Sequence, residues 1–240
     1  MSLNLFFAFR IWRRRESTTL ANMSLLPAQD ARPKLALRLR EAIIAGRYAP
    51  GERLSEQAIS DELGVSRNTL RESFQVLVEQ RLITRIPHRG VSVAAPTMAD
   101  VIDIYRARRV MEIAALASAN PLHPALAEMR DAVTDARGAE ANGEWAVVGT
   151  ANMRFHSALV RLSDSPRVTA AFENVLAELR LAFLRLNDAE RLHHPFIGRN
   201  DAIIAAIDAS DVGRATEELE RYLDDSQRLL LSTYTRLGLD

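Results

Sequence analysis

The pattern of apolar and polar positions changes character near residue 96 of the chain. Before it, short helical stripes alternate with turn residues and end in two β-prone runs. After it, apolar residues recur every three or four positions through several long segments, and none alternates as a strand would. The pattern predicts a mostly α protein with a small mixed domain followed by an all-helical antiparallel bundle.

Three short helices are predicted in the first domain. The first covers residues 34–46, where the apolar residues fall on one stripe. Ser55 has the side chain of an N-cap for a second helix that ends at Leu63, and Ser66 caps a third. The glycine turn at Gly64 joins the second helix to the third, so these two helices form a helix-turn-helix.

A β-hairpin is predicted to follow the third helix. Leu82–Ile86 and Val91–Ala94 are short β-prone runs, and Pro87–Gly90 bridges them as a loop. Helices followed by such a hairpin predict a winged helix-turn-helix.

The second domain is predicted to contain six helices. Thr97 is the expected N-cap of the first, and Asn187–Pro195 is expected to be a polar loop. The helices are expected at about 98–120, 123–141, 144–162, 165–186, 196–209 and 211–237.

Charge is distributed unevenly, although the formal net charge of the 240 residues is zero. Residues 1–96 hold 15 basic and 9 acidic side chains, and residues 97–240 hold 16 basic and 22 acidic ones. A basic front half is typical of a module that binds phosphates. We therefore expect a loosely ordered arm over 1–26, a DNA-binding domain over 27–96 and a helical domain over 97–240. An over-called start, with Met23 as the first residue, and a membrane-surface helix are the alternatives for the arm.

The third helix carries side chains that suit DNA recognition. Arg67, Asn68, Thr69 and Arg71 occupy its first turns, which is where a recognition helix meets base edges. Arginine suits guanine, asparagine suits adenine, and the threonine methyl group suits thymine. The helix N-terminus at Ser66 favours a phosphate.

Two pairs of polar residues are predicted to face the interior of the helical bundle. Asn152 and His156 are four residues apart on one helix, and Arg108 and Glu112 have the same spacing on another. Buried polar groups are costly unless they are satisfied, so a polar cavity is one interpretation. A hydrogen-bonded core histidine and an intrahelical ion pair are the alternatives.

The first domain resembles the winged helix of the GntR family of bacterial transcription regulators. The segments that carry the resemblance are GRYAPGERLSE, GVSRNTLRE and the wing RGVSV. The resemblance implies operator contacts by Arg67, Asn68, Thr69, Arg71 and the wing residues His88, Arg89 and Gly90. Gln57 stands where many members have a base-reading arginine, which leaves that contact and the operator sequence open.

The second domain resembles the FCD effector domain of one GntR branch, through the segments YRARRVMEIAALA, ANMRFHSALVRLSDSPRV and NDAIIAAIDASDVGRATEELERYL. Many members hold a divalent metal with an Asp or Asn and three histidines. Here those positions are Asn152, His156, Asn200 and Tyr222, so we expect no tight metal site. His193 and His194 are possible substitutes. The resemblance implies a small carboxylate effector, or acyl-CoA as in the namesake of the branch. The expected effector-binding residues are Arg108, Asn152, His156, Arg180, Asn200 and Tyr222.

The expected function is that of a dimeric, cytoplasmic transcription regulator that binds double-stranded operator DNA under the control of a small-molecule effector. We expect no cofactor, no enzymatic activity and no membrane partner. No cysteine is present, which excludes disulfide frameworks and thiolate metal sites. Two alternatives remain: a helical domain that only dimerises, and a helical metal-dependent hydrolase built on His156, His193 and His194.

Overall fold

A computed structural model of the chain describes residues 28–86 and 90–239, with side chains described from Arg32 onward. The chain divides into two compact units, Met1–Ala95 and Pro96–Asp240. The arm expected over 1–26 and the hairpin tip at 87–89 lie outside the described residues.

The first unit is a winged helix-turn-helix, as the pattern predicts. The three helices pack around a small antiparallel sheet in which β3 lies between β1 and β2. The elements are α1 (Ala28–Ile44), β1 (Arg53–Leu54), α2 (Glu56–Leu63), α3 (Arg67–Glu79), β2 (Ile83–Ile86) and β3 (Gly90–Val93).

Capping residues define the helix-turn-helix. The Ser55 hydroxyl accepts a hydrogen bond from the backbone N–H of Ala58 at the start of α2, and the Ser66 hydroxyl accepts one from Thr69 at the start of α3. Gly64 ends α2 with φ +63°, a left-handed conformation that glycine adopts without steric cost. The turn between α2 and α3 is therefore set by local sequence.

Strand β1 is the element of this unit that the pattern did not predict. It is only two residues long, with Arg53 opposite Ser92 and Leu54 opposite Val91. A two-residue strand has no periodicity to detect, because its pairing depends on a distant partner. The strand places Leu54 in the core of the unit.

The core of the first unit combines one apolar face from each helix with the inner face of the sheet. Its main members, all less than 6% exposed, are Leu35, Leu39, Ile43, Leu54, Ile59, Leu70, Phe74, Leu77, Leu82, Ile83, Val91 and Val93.

The second unit is all-helical among the described residues, which confirms the predicted fold class. Each predicted helix is present, with bounds within a few residues of those expected. The elements are α4 (Met98–Leu116), α5 (Ala125–Ala141), α6 (Trp145–Arg161), α7 (Pro166–Leu186), α8 (Ala189–His193), a 3-10 turn (His194–Phe196), α9 (Ile197–Asp208) and α10 (Val212–Leu237).

The segment expected to be a polar loop over Asn187–Pro195 is instead largely helical. Asn187 ends α7 in a left-handed conformation, φ +49°, and the chain turns directly into α8 and the 3-10 turn. Leu192 and Phe196, four residues apart, are both buried in the core. The burial of these two apolar side chains stabilises the packing of residues 189–196 against the bundle, although most of the segment is polar. His193 is consequently buried as well.

No helix in the described parts of the chain combines the length and the apolar character needed to cross a membrane. The long helices instead bury one face each in a single core that includes Tyr105, Phe155, Phe172 and Leu219. Within that core, the Tyr105 hydroxyl is hydrogen-bonded to the Ser226 hydroxyl over 2.6 Å.

Thr97→Ala should lower the free energy of unfolding of the helical unit by about 1 kcal/mol. The Thr97 hydroxyl accepts from the Asp100 N–H and the Asp100 carboxylate accepts from the Thr97 N–H, which forms a capping box for α4. Urea unfolding followed by circular dichroism measures the effect. Thr150→Ala, at an exposed position inside α6, is the matched control and should not destabilise. An equal effect of the two substitutions would contradict the role of the cap.

Candidate functional site

The exposed N-terminal part of α3 brings together most of the residues expected to contact DNA. Arg67, Asn68 and Arg71 are exposed, while Leu70 and Phe74 on the opposite side of the helix are fully buried. We give the name reading face to the exposed residues Ser66, Arg67, Asn68 and Arg71 together with the half-buried Thr69.

Several polar side chains around the reading face are held by carboxylates on the same unit. The Arg71 Nε donates to Glu56 over 2.8 Å, the Asn68 amide donates to Glu72 over 3.0 Å, and the Gln57 amide donates to Asp61. Exposed pairs of this kind contribute about 0–1 kcal/mol each. They orient the side chains at little cost and are readily exchanged for DNA.

Of the three predicted wing residues, only Gly90 is described. It begins β3 with φ +87° and is exposed, a conformation that favours glycine. The predictions for His88 and Arg89 fall on residues outside the described part of the chain.

The helical unit contains an interior cavity lined by polar and apolar side chains. Four of the six predicted effector-binding residues line it, and Asn200 and Tyr222 contact one of those four. The lining residues are Arg108, Gly149, Asn152, Met153, His156, Leu176, Leu179, Arg180, Phe183, His193 and Ser226.

Arg108, Glu112 and His156 form a buried triad at this cavity. The Arg108 Nε donates to one Glu112 oxygen over 2.8 Å, and the other oxygen lies 2.6 Å from the His156 Nδ1. All three residues are at most 2% exposed. The intrahelical ion pair weighed from the sequence is therefore present, and it extends to a histidine on α6.

The charges of the triad follow from its contacts. Burial raises the pKa of Glu112, but Arg108 and His156 outweigh it and the pKa is lowered overall, so Glu112 is a carboxylate at neutral pH. Burial and the charge of Arg108 together lower the pKa of His156 more than Glu112 raises it, so this imidazole is neutral. Arg108 stays cationic, because Glu112 and neighbouring tyrosines outweigh the effect of burial on its pKa.

A second polar cluster centres on Asn152. Its Oδ1 accepts hydrogen bonds from the Asn200 amide over 2.9 Å and from the Tyr222 hydroxyl over 3.0 Å. The Tyr222 ring also packs edge-on against His156, with ring centroids 4.8 Å apart. The predicted residues thus converge on one place in the bundle.

Arg180 and His193 close the cavity over Gly149. A Cβ atom placed on Gly149 would lie 2.6 Å from both the Arg180 Nη1 and the His193 Nε2, so only glycine lets these side chains approach α6 so closely. Burial lowers the pKa of Arg180 to about 10, and it remains cationic. Burial and the charge of Arg180 lower the pKa of His193 to about 3, so His193 is neutral.

The cavity combines polar groups with a largely apolar wall, and it is nearly closed. Its volume is about 10 Å³, about the space that one water molecule requires. In the described part of the chain, the buried side-chain atoms without a hydrogen-bond partner are the Arg108 Nη2, the His156 Nε2, the His193 Nε2 and the Asn200 Oδ1. Three of these atoms belong to residues that line the cavity, which is unusual for a packed interior.

Sequence reasoning missed Gly149 and left His193 only as a possible metal ligand. A glycine inside a predicted helix was a detectable signal, because it costs stability unless close packing requires it. His194 does not join the cavity: its side chain is 62% exposed and faces Glu140.

Two family models match the chain, one for each unit. "Bacterial regulatory proteins, gntR family" matches residues 32–93, and "FCD domain" matches residues 103–225, about half of the chain. The chain belongs to the GntR family. It is a DNA-binding transcription regulator with an FCD effector-binding domain, as the resemblance implied.

Relatives of this GntR regulator are similar along most of their length. The crystal structure of a GntR transcriptional regulator from Rhodococcus sp. RHA1 is 40% identical, covers 85% of this chain and 99% of its own, and has a TM-score of 0.82. A probable repressor of a D-xylose utilization operon from Paenarthrobacter nicotinovorans is 26% identical, over 80% of this chain and 87% of its own. Escherichia coli McbR/YncC shares the fold, at 21% identity over 84% of this chain and 97% of its own, with a TM-score of 0.72.

The residues at the metal-ligand positions of FCD domains do not suit a tight divalent site in this regulator. His156 supplies the only imidazole among Asn152, His156, Asn200 and Tyr222. The Asn152 oxygen already accepts two hydrogen bonds, and burial raises the pKa of Tyr222, so the phenol stays protonated. Neutral amide and phenol oxygens are weak ligands for zinc or nickel.

Gly149→Ala should lower the free energy of unfolding by about 1–3 kcal/mol, because the added methyl group must displace Arg180 and His193. Chemical denaturation measures the effect. Gly138→Ala on α5 is the matched control, since a Cβ there meets nothing within 4 Å. That substitution should stabilise by about 0.5–1 kcal/mol. Two variants with the same sign of change would contradict the contact over Gly149.

The free energy of unfolding should fall as the pH falls below about 6.5, the ordinary pKa of histidine. The unfolded chain takes up protons on His193 and His156 that the folded chain excludes, since the folded pKa of His193 is about 3. Melting temperatures between pH 7.5 and pH 5 measure the slope. His193→Asn should flatten it, because this substitution removes the buried imidazole that only the unfolded chain protonates. A wild-type slope in His193→Asn would show that His193 is not buried as a neutral group.

Proposed function

We propose that this regulator binds operator DNA through the reading face of α3 and is controlled by a small carboxylate-type effector bound in the interior cavity of the helical unit. The observation that carries the effector assignment is a cavity lined by two buried guanidinium groups, Arg108 and Arg180. Glu112 binds the Arg108 Nε, but the Arg108 Nη2 has no hydrogen-bond partner among the described residues. Buried cations favour an anionic ligand.

The proposed DNA contacts rest on the chemistry of the reading face. Arg67 and Arg71 suit guanine or phosphate, Asn68 suits adenine, and Thr69 suits thymine. Arg67 is exposed and takes part in no ion pair among the described residues. It is therefore the side chain most available for a base contact.

We propose that effector binding requires no metal. The Arg108 guanidinium supplies positive charge where other FCD domains use a cation, and the donor set of Asn152, His156, Asn200 and Tyr222 disfavours one. Thermal shift with a panel of carboxylates, with and without EDTA, tests this point. An effector shift that disappears in EDTA would contradict metal-independent binding, because a ligand raises the melting temperature only when it binds the folded state.

The two alternatives weighed from the sequence gain less support. A helical unit that only dimerised would have no use for the unsatisfied polar atoms of Arg108, His156 and His193, which cost stability. A metal hydrolase built on His156, His193 and His194 would need these imidazoles together, but His194 is exposed beside Glu140. Within the described residues no group of three or more metal-ligating side chains occurs.

We further propose a cytoplasmic homodimer without enzymatic activity, which presents two reading faces to the two half-sites of a pseudo-palindrome. Effector binding would shift the equilibrium between DNA-competent and incompetent states by the difference between its affinities for them. A gel-shift assay on the DNA upstream of the gene tests the proposal. Binding no tighter than to random DNA at moderate salt would refute it.

Arg67→Ala should weaken operator binding by about 1–3 kcal/mol and relax specificity at one base position. Fluorescence anisotropy with the operator and with single-base variants of it measures both effects. Arg221→Ala, on the exposed surface of α10, controls for the loss of one charge. An equal loss on every sequence would assign Arg67 to the phosphate backbone instead.

A further inference from the structure

The helix-turn-helix carries more acidic than basic side chains, although the front half of the chain is basic. Residues 56–79, which span α2 and α3, contain five acidic residues and two basic ones, Arg67 and Arg71. Affinity for the DNA backbone depends on lysine and arginine side chains that neutralise phosphates. Side chains outside α2 and α3 must therefore provide most of the attraction to the backbone.

The carboxylates of α2 and α3 also reduce the attraction of the reading face for phosphate. Glu56 binds the Arg71 Nε over 2.8 Å, and Glu72 binds the Asn68 amide over 3.0 Å. A carboxylate repels a phosphate group that approaches the same side chain, since like charges brought together cost free energy. The reading face therefore suits hydrogen bonds with base edges better than it suits contacts with the backbone.

Two exposed arginines lie at the base of the wing, where β3 begins. Arg53 on β1 is paired with Ser92, and Arg85 on β2 is paired with Val91, so β3 lies between the two strands that carry them. Both arginines are exposed, and neither takes part in an ion pair among the described residues, unlike Arg71. We call Arg53 and Arg85 the wing-base arginines.

The surroundings of Arg53 suit a phosphate group. Ser92 is paired with Arg53 on one side and with Thr84 on the other, and residues paired directly across a sheet project from the same face. The Arg53 guanidinium also lies 3.8 Å from the position that a Cβ atom on Gly90 would occupy, so it reaches the start of β3. A guanidinium and two hydroxyls are groups that bind the phosphate oxygens of DNA.

Arg85 offers a second positive charge on the opposite face of the sheet. It follows Thr84 directly in β2, and successive side chains of a strand project from opposite faces. The base of the wing therefore carries one exposed arginine on each face. A DNA groove has a phosphate backbone along each of its two walls, so a wing with this arrangement can contact both.

The wing-base arginines lie close to the reading face. Arg53 precedes Glu56 by three residues, and the Glu56 carboxylate binds Arg71. Three residues of extended chain span at most about 11 Å. Double-stranded DNA carries one negative charge per about 1.7 Å of its axis, so a duplex that contacts the reading face has phosphates within reach of Arg53.

We propose that the wing-base arginines form a phosphate-binding site that supplies sequence-independent affinity for DNA, while the reading face selects the bases. The site depends on the proposed contact between the reading face and DNA, but it lies outside that face. Phosphate contacts position a protein on a duplex, and base contacts specify the sequence. In this regulator the two tasks fall to different surfaces of the first unit.

Arg53→Ala and Arg85→Ala should each weaken binding to random DNA and to operator DNA by the same factor, about fivefold at physiological salt, because each removes one phosphate contact. The slope of log affinity against log salt concentration should become shallower by about 0.9 for each substitution. Fluorescence anisotropy of the full-length chain between about 50 and 200 mM salt measures both quantities. A loss confined to operator DNA, or an unchanged slope, would overturn the proposal. Random DNA alone tests the site, so an operator fragment that fails to bind specifically counts against the operator contacts and not against the wing-base arginines.

Arg81→Asn is the matched control. It removes one positive charge from the same unit beyond the C-terminal end of α3, about 20 Å along the helix from Arg67, and asparagine tolerates the left-handed φ of +56° at this position. Arg53→Lys keeps the charge and should retain the wild-type slope. An equal loss in Arg81→Asn would assign the effect to net charge, and equal slopes for Arg53→Lys and Arg53→Ala would assign it to packing; either result contradicts a phosphate site at the base of the wing.

Discussion

One carboxylate, that of Glu112, organises the polar interior of the helical unit. Each of its oxygens binds a different element, the Arg108 guanidinium on α4 and the His156 imidazole on α6. Removing such a group would leave a buried cation and a buried imidazole uncompensated, a far larger cost than an exposed ion pair is worth. The carboxylate therefore links the stability of the bundle to the protonation state and the orientation of the Arg108 and His156 side chains, which line the cavity.

The two units place their polar groups under opposite physical conditions. On the reading face the side chains are exposed, and their carboxylate partners, such as Glu56 for Arg71, hold them weakly. In the interior cavity the groups are desolvated, so each unpaired atom is costly and each new hydrogen bond contributes more. Weak exposed pairs suit exchange for DNA in water, and buried unsatisfied atoms suit discrimination among small ligands.

The architecture was predictable from local signals. Ser55, Ser66 and Thr97 act as caps in the structure, because an N-cap depends on its own neighbours in the chain. Strand β1 could not be predicted, since two residues have no period and pair only with a distant strand. The helical segment around His193 was missed because its polar composition resembles a loop, while its structure follows from the burial of Leu192 and Phe196.

Four of the polar residues that line the cavity, Arg108, Asn152, His156 and Arg180, were predictable from the sequence, but the geometry of the cavity was not. The spacing of four residues placed Asn152 beside His156 and Arg108 beside Glu112. The link from Glu112 to His156 joins residues 44 positions apart in the chain, so no local pattern contains it. The contact of Gly149 with Arg180 and His193 is equally non-local. Sequence reasoning thus supplied the candidate side chains, and tertiary packing determined their tautomers, charges and partners.

Because the cavity is nearly closed, its opening affects the effector concentration at which a regulator with the proposed site responds. A ligand that fits only an opened form binds with an apparent affinity reduced by the fraction of molecules that are open. Each factor of ten in that fraction raises the responding concentration tenfold, without any change in the groups that recognise the ligand. For an effector bound in the proposed cavity, the packing of Arg180 and His193 over Gly149 therefore sets a threshold that is separate from chemical selectivity. Substitutions in this packing would retune the sensitivity of the proposed site and leave the polar groups of Arg108 and His156 unchanged.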